Sequence, residues 1–145
     1  MSRPDPLRLD LRAYPCQRPI TTRVSDMDGY GHLNAIRIGH YYEDARAAFY
    51  GEAMDRTNLR MLVAQLTIRY LGEGFWPGEA IVATGILRLG VSSFEMGQAL
   101  FQNGRCIGLC DTVLVNTEAG VSAPFPEHAR RDLEKMLLRA PETAG

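Results

Sequence analysis

The stretch AIRIGHYYEDARAAFY, residues 35–50, carries the clearest helical pattern in the sequence. Its apolar side chains recur at spacings of three and four, which is typical of a helix with one buried face. They are Ile38, Tyr41, Tyr42, Ala45, Ala48 and Phe49. We therefore predict one long helix over residues 35–50, with Gly51 able to cap its end. Gly39 costs roughly 1 kcal/mol relative to alanine inside a helix, so we expect a close packing contact there.

After this helix the apolar pattern changes to a period of two, which indicates β-strands. In residues 62–71 the alternation predicts that one face holds Leu62, Ala64, Leu66, Ile68 and Tyr70. Three further strands are predicted over residues 80–89, 93–102 and 105–117. The Asn103–Gly104 dipeptide between the last two favours a tight type I′ hairpin turn.

The remaining elements complete an α+β architecture. A short strand is predicted over residues 20–25, and a closing helix over residues 127–139. Residues 1–19 contain four prolines and are predicted to form an irregular arm, whereas residues 20–140 form a single domain. The order of elements is strand, long helix, four strands in an antiparallel meander, and terminal helix, which is an α+β fold. Because one helix covers only one face of a sheet, we expect a second copy to cover the rest.

Composition excludes several classes of function. The chain has 145 residues and a formal net charge of −1, so it lacks the basic excess typical of nucleic-acid binding. It contains no apolar run long enough for a signal peptide or a membrane span, and we expect a cytoplasmic protein. The three cysteines are predicted to be reduced, partly buried thiols, because the spacing of Cys106 and Cys110 matches no common zinc or redox motif.

Ionisable groups and glycines crowd the segment RVSDMDGYGHLN, residues 23–34, directly before the predicted helix. The first amides of a helix lack internal acceptors and carry partial positive charge, so they can receive an oxyanion. Gly29 and Gly31 permit backbone conformations and close approaches that other residues resist. A carboxylate at Asp28, beside such donors, is a plausible nucleophile or general base for attack on an acyl carbonyl.

The same residues also fit a purely structural interpretation. Asp and Asn before a helix are common caps that bind free backbone amides. A histidine near a helix start often satisfies only a hydrogen bond. For Asn34, capping is favoured over substrate binding. On the residues alone, both interpretations of Asp28 and His32 therefore stay open.

The segment DMDGYGHLNAIRIGHYYEDAR, residues 26–46, resembles a family motif. It is similar to the Asp-x-Asp-x-x-Gly-His-x-Asn segment and following helix of the hot-dog-fold acyl-CoA thioesterases of the 4-hydroxybenzoyl-CoA thioesterase type. The resemblance extends to Tyr70 with the nearby WPGE and to the SSF of residues 92–94. It implies an antiparallel sheet wrapped around one long central helix, paired subunits in a homodimer or homotetramer, and thioester sites at the subunit interface.

The resemblance also implies roles for individual residues. Its catalytic carboxylate falls on Asp28, with His32 and Asn34 positioning the loop or a water molecule, and Asp26 holding the loop. The oxyanion-binding amide falls at the helix start near Asn34 and Ala35. The substrate-binding positions that match are Gly31, Ala35, Tyr70, Ser93 and Phe94. The implied reaction is hydrolysis of an acyl thioester, on coenzyme A or an acyl carrier, with no metal and no cofactor.

The sequence departs from the family pattern at two places. Many relatives have a second asparagine and then an aromatic residue where this chain has Ala35 and Ile38. Arg88 is the only cation in the stretch before Ser93, where the hydroxybenzoyl branch has several basic residues for coenzyme A. The nucleotide would then be bound elsewhere, by Arg105 or a partner subunit, or the carrier would differ. A hot-dog dehydratase or hydratase and a non-catalytic thioester-binding protein stay as alternatives.

Overall fold

Helix α1 (Ala35–Ala53) is the longest element of the computed structural model, which describes residues 2–53 and 59–142. Its buried side chains follow the predicted spacing, with Tyr42 and Phe49 almost fully enclosed. The predicted helix is confirmed, but Gly51 lies inside it and does not cap its end. The close contact expected at Gly39 is absent, since a Cβ there would meet Ile68 at an ordinary 3.8 Å.

One antiparallel sheet packs against this helix. Its strands are β1 (Cys16–Thr21), β2 (Arg60–Tyr70), β3 (Glu79–Leu89), β4 (Ser93–Gln102), β5 (Arg105–Glu118) and the short β6 (Val121–Ser122). Their order is β1-β3-β4-β5-β2, with β6 paired to β5. The α+β prediction is confirmed, whereas the four-strand meander is wrong. Of the four strands predicted as a meander, β3, β4 and β5 do follow one another as hairpins; β2 pairs with β5, because residues 71–78 carry the chain across the end of the sheet to β3.

Strand β2 forms one edge of the sheet and exposes apolar side chains. A bulge at Ala64 shifts its register, so Val63 and Leu66 face the helix side together, opposite Leu114 and Thr112. The predicted face that joined Leu62 to Leu66 is therefore wrong, since a one-residue bulge reverses the alternation. Val63 is 54% exposed and Leu66 is 42% exposed.

The beginning of the chain packs on the outer face of the sheet. Two short 3₁₀ helices, Pro6–Leu9 and Leu11–Ala13, lead directly into β1, which starts at Cys16 rather than at residue 20 as predicted. The buried Arg8 donates to Asp111 of β5 at 2.7 Å. Asp111 is thus a partner of the arm, which explains a charged residue within an apolar strand.

A hairpin turn and a second helix complete the fold. Asn103 and Gly104 have φ values of 52° and 75°, which confirms the predicted hairpin turn. Helix α2 (Glu127–Glu134) is shorter than predicted. Its continuation pairs with β3 instead, because the N–H of Ile86 donates to Met136 and its carbonyl accepts from Leu138. None of the helices in the described ranges is long and apolar enough to cross a membrane.

Candidate active site

The Asp28 loop (residues 23–34) is held against α1 by Asp26. The buried Asp26 carboxylate accepts from the Tyr41 hydroxyl at 2.6 Å and from the Arg23 amide at 3.1 Å. Its carbonyl accepts from the Asn34 amide at 2.7 Å. Burial, and then the hydrogen bond from its hydroxyl to Asp26, raise the pKa of Tyr41, so the phenol stays a proton donor. Asp26 therefore fixes the loop, as the family resemblance implied.

Asp28 has one carboxylate oxygen bound and the other open. Its Oδ1 accepts from the backbone amides of Tyr30 at 2.8 Å and His32 at 3.0 Å, and its own amide donates to the His32 carbonyl at 2.7 Å. No residue in the described ranges donates to Oδ2. The amide of His32, and then that of Tyr30, lower the pKa of Asp28, because they stabilise the ionised form. Asp28 thus presents a fixed, charged carboxylate with one unpaired oxygen.

At the start of α1, helix capping and oxyanion binding fall on different residues. Asn34 Oδ1 accepts from the Ile36 amide at 2.8 Å, so the side chain caps the helix. The Asn34 amide already donates to Asp26, which makes it unsuitable as an oxyanion donor. The Ala35 amide has no acceptor within residues 2–53 and 59–142. Of the two implied oxyanion positions, only Ala35 presents an open donor.

A second segment, the β2–β3 loop (residues 71–78), packs against the Asp28 loop. His32 Nε2 lies 2.9 Å from Glu73 Oε2, and the His32 ring meets Phe75 edge-on with centroids 5.5 Å apart. The Leu33 amide donates to the Gly74 carbonyl at 2.8 Å. A Cβ on Gly74 would lie 2.6 Å from Leu33 Cδ1 and 2.9 Å from Ile107 Cδ1, so a larger residue here would have to displace the ends of these two side chains.

Sequence reasoning missed the β2–β3 loop because its residues read as a turn. The available signals were the family match at WPGE, residues 76–79, and the glycines at positions 72 and 74, and neither names the partner of the loop. Contacts between segments some forty residues apart are not visible in a periodic pattern.

The predicted substrate-binding residues fall into two groups. Tyr70 is brought to the helix start, where its hydroxyl donates to the Ala35 carbonyl at 3.1 Å, and Gly31 takes a left-handed φ of 86° in the loop. Ser93 and Phe94 instead begin β4, about 30 Å along that strand from the end that reaches the β2–β3 loop. Phe94 is only 1% exposed and packs in the core. Within one subunit, Ser93 and Phe94 are therefore separated from Asp28.

Across the described part of the chain, no three His, Cys, Asp or Glu side chains gather as a metal site requires. The cysteines at positions 16, 106 and 110 are free thiols, and that of Cys110 is buried.

Comparisons with known proteins identify the family and the fold. A profile of the Thioesterase-like superfamily matches residues 22–133. No curated protein sequence matches the chain. Among solved structures, a "predicted thioesterase" from Bacillus stearothermophilus has a TM-score of 0.77 and 26% identity, covering 86% of this chain and 97% of its own.

Two further structures extend the comparison. A thioesterase from Thermus thermophilus, complexed with coenzyme A and zinc, has a TM-score of 0.76 and 28% identity over 86% of this chain and 95% of its own. The PA5185 protein of Pseudomonas aeruginosa has a TM-score of 0.78 and 25% identity over 91% and 97%. The curled antiparallel sheet and single long helix are those of the hot-dog fold. The chain therefore belongs to the Thioesterase-like superfamily.

Proposed function

We propose that this protein hydrolyses an acyl thioester, with acyl-CoA as the substrate class, to a free carboxylic acid and a thiol. The observation that carries the proposal is the Asp28 carboxylate, which has one oxygen fixed by backbone amides and the other open. Its loop leads into α1, where the Ala35 amide is open and the helix dipole is positive. A carboxylate and an oxyanion donor on one short segment are what acyl transfer requires.

The open oxygen of Asp28 can act in two ways. As a nucleophile, Oδ2 bonds to the carbonyl carbon and the C–S bond breaks, which releases thiolate and leaves a mixed anhydride for water to hydrolyse. As a general base, it takes a proton from a water molecule whose oxygen attacks the same carbon. In both cases negative charge develops on the carbonyl oxygen, and the Ala35 amide is our candidate donor to it.

His32 and Asn34 support this chemistry from the loop. Asn34 fixes where α1 begins, because its side chain caps the helix and its amide binds Asp26. His32 fixes Asp28 through its backbone, as donor to Oδ1 and acceptor from the Asp28 amide. We assign both as positioning residues, although the His32 imidazole remains available to a water molecule.

Coenzyme A carries phosphates and requires cations near the site. Arg88 lies opposite Glu95 on the neighbouring strand, where its charge is partly offset. Arg105 lines a pocket of about 250 Å³ that also includes Glu73 and Phe75, and no carboxylate of the described ranges forms an ion pair with it. The Thermus thermophilus relative has been solved with coenzyme A. Arg105 is thus our candidate for contact with the nucleotide.

A second copy of the chain completes the proposed site. The exposed apolar side chains of the β2 edge favour pairing with another subunit, in a homodimer or homotetramer. Such pairing extends the sheet and brings a partner's surface beside the helix face that Tyr70 and Ala35 share. Ser93, distant from Asp28 in its own subunit, would then contact substrate only across the interface, whereas Phe94 is buried in the core and could only support that surface.

The Asp28 carboxylate should stay ionised from neutral pH down to mildly acidic pH. Because amide hydrogen bonds lower the pKa of Asp28, we expect the ionisation of this carboxylate to limit kcat/KM only below about pH 4. The same bonds contribute stability above the ordinary aspartate pKa, which is lost as the pH falls through the lowered value. A pH–rate profile, with circular dichroism at each pH to detect unfolding, measures this. A complete loss of kcat/KM along an acid limb at about pH 6 in folded protein, in the usual range of histidine, would assign the role of Asp28 to another group, whereas a partial loss there would be consistent with a supporting imidazole.

Thiol release from a substrate panel tests the proposal as a whole. The panel consists of short, long and aromatic acyl-CoA esters, the matching acyl-pantetheines and acyl carrier protein thioesters. We expect hydrolysis of at least one acyl-CoA, with a higher KM for its pantetheine analogue because the nucleotide contacts are missing. Binding without turnover across the panel would instead identify a thioester-binding protein, and hydration of enoyl esters would identify a hydratase.

A further inference from the structure

The contact between Glu73 and His32 plays no part in the mechanism described above. Its Oε2–Nε2 distance of 2.9 Å is that of a good hydrogen bond, yet the Glu73 side chain is 62% exposed. Exposed ion pairs stabilise a protein by only about 0–1 kcal/mol. Stability alone therefore gives a weak reason for this pairing, whose histidine also holds the proposed catalytic Asp28 through its backbone.

Glu73 pairs with His32 although a cationic side chain lines the same pocket. It lines the same pocket as the Arg105 guanidinium, a cation with a permanent charge, but pairs with the His32 imidazole instead. The Phe75 ring meets the imidazole edge-on, which limits its rotation. Two neighbouring residues of the β2–β3 loop thus hold one ring.

The β2–β3 loop is itself anchored by a buried amide. Gln102, at the end of β4, accepts from the Phe75 amide at 2.9 Å through Oε1 and donates to the Phe75 carbonyl at 2.9 Å through Nε2. Gln102 is only 7% exposed, so these bonds are shielded from water. Since Gly74 also accepts from the Leu33 amide, the sheet, the β2–β3 loop and the Asp28 loop form one connected unit.

The pairing fixes the chemistry of the His32 ring. With Nε2–H donated to Glu73, the neutral imidazole keeps its lone pair on Nδ1. The backbone of the same residue holds Asp28 from both sides, at Oδ1 and at the amide. The ring and the carboxylate are therefore set by one residue, and Glu73 determines the state of that residue.

Resting on the proposed hydrolysis, we propose that Glu73 is a positioning residue, which holds the His32 ring with Nε2 as donor and leaves Nδ1 to accept a hydrogen bond or proton from water. Glu73 does not touch the substrate in this role. Its contribution is to the rate of the chemical step, through His32, and not to the binding of the thioester.

Replacing Glu73 tests whether it orients the His32 ring or only stabilises the folded protein. We expect Glu73→Ala to lower kcat at least about tenfold, a part of the 10²–10⁴ that a positioned acid–base group supplies, with KM not raised, since the substitution removes a negative charge from the pocket of Arg105. Glu73→Gln keeps an acceptor oxygen for Nε2–H and should recover most of kcat. The matched control is Glu134→Ala, which removes another exposed carboxylate, 52% exposed and paired with Arg130, far from the loop. It should leave kcat and KM unchanged.

Nitrogen-15 NMR of the His32 imidazole provides a readout independent of activity. We expect the Nε2–H tautomer in the wild-type protein and in Glu73→Gln, and a mixture of tautomers in Glu73→Ala. Wild-type kcat and an unchanged tautomer in Glu73→Ala would overturn the inference while leaving the hydrolase assignment intact. A wild-type protein without turnover would instead remove the proposed function, and the tautomer would still decide whether Glu73 orients His32.

Discussion

Asp28→Asn is expected to lower kcat for thioester hydrolysis by about 10²- to 10⁴-fold, the range supplied by a positioned general base or nucleophile. The asparagine keeps a carbonyl oxygen that can accept from the Tyr30 and His32 amides, so the loop should hold its shape. What the substitution removes is the negative charge and the open oxygen Oδ2. Thiol release, measured beside thermal unfolding and oligomer mass, distinguishes lost chemistry from lost structure.

The matched control is Asp10→Asn. Asp10 Oδ1 accepts from the amide two residues on, that of Arg12, at 2.9 Å, just as Asp28 accepts from Tyr30. Both are partly exposed aspartates with a lowered pKa, but Asp10 lies on the opposite face of the sheet from α1. Asp10→Asn should retain wild-type kcat. Wild-type turnover in Asp28→Asn would remove Asp28 from its proposed role and return it to a loop-capping residue.

The parts of the site that sequence predicted are those set by local signals. The helix over residues 35–50 follows from a pattern in which each buried position is visible from its neighbours. Asp28 and Asn34 became candidates because a carboxylate and a cap precede that helix, and the family resemblance then favoured a catalytic role for Asp28. The structure then divides the helix start, with Asn34 as cap and Ala35 as open donor, because the Asn34 amide is taken by Asp26.

The parts that sequence missed depend on residues far apart in the chain. The pairing of β2 with β5 joins segments about fifty residues apart, and a single bulge at Ala64 reverses which side chains share a face. The apolar period of a strand indicates neither which strand it pairs with nor where a bulge interrupts it. The contacts that Glu73 and Gln102 make are of the same kind, since each links two loops or strands that a pattern treats separately.

The exposed edge strand β2 leads to a prediction about subunit pairing. Leu66 lies near the middle of β2, on the helix side, and is 42% exposed in the single chain. If a second copy pairs along this edge, Leu66→Lys removes about 1 kcal/mol of apolar burial per copy and adds the cost of desolvating two ammonium groups. The dimer dissociation constant should rise on the order of 10²-fold or more. Light scattering over a dilution series measures that change.

Loss of the dimer should also remove activity, because in the proposed site the surface that carries Ser93 can approach Asp28 only from a partner. We therefore expect the turnover of Leu66→Lys per chain to fall with dilution in parallel with the dimer fraction. Val121→Lys is the control, since Val121 is 67% exposed on β6, away from the β2 edge. Val121→Lys should keep the oligomer mass and the turnover per chain of the wild-type protein. Full activity in a Leu66→Lys monomer would show that one chain holds a complete site, and Ser93 and Phe94 would then have no place in substrate binding.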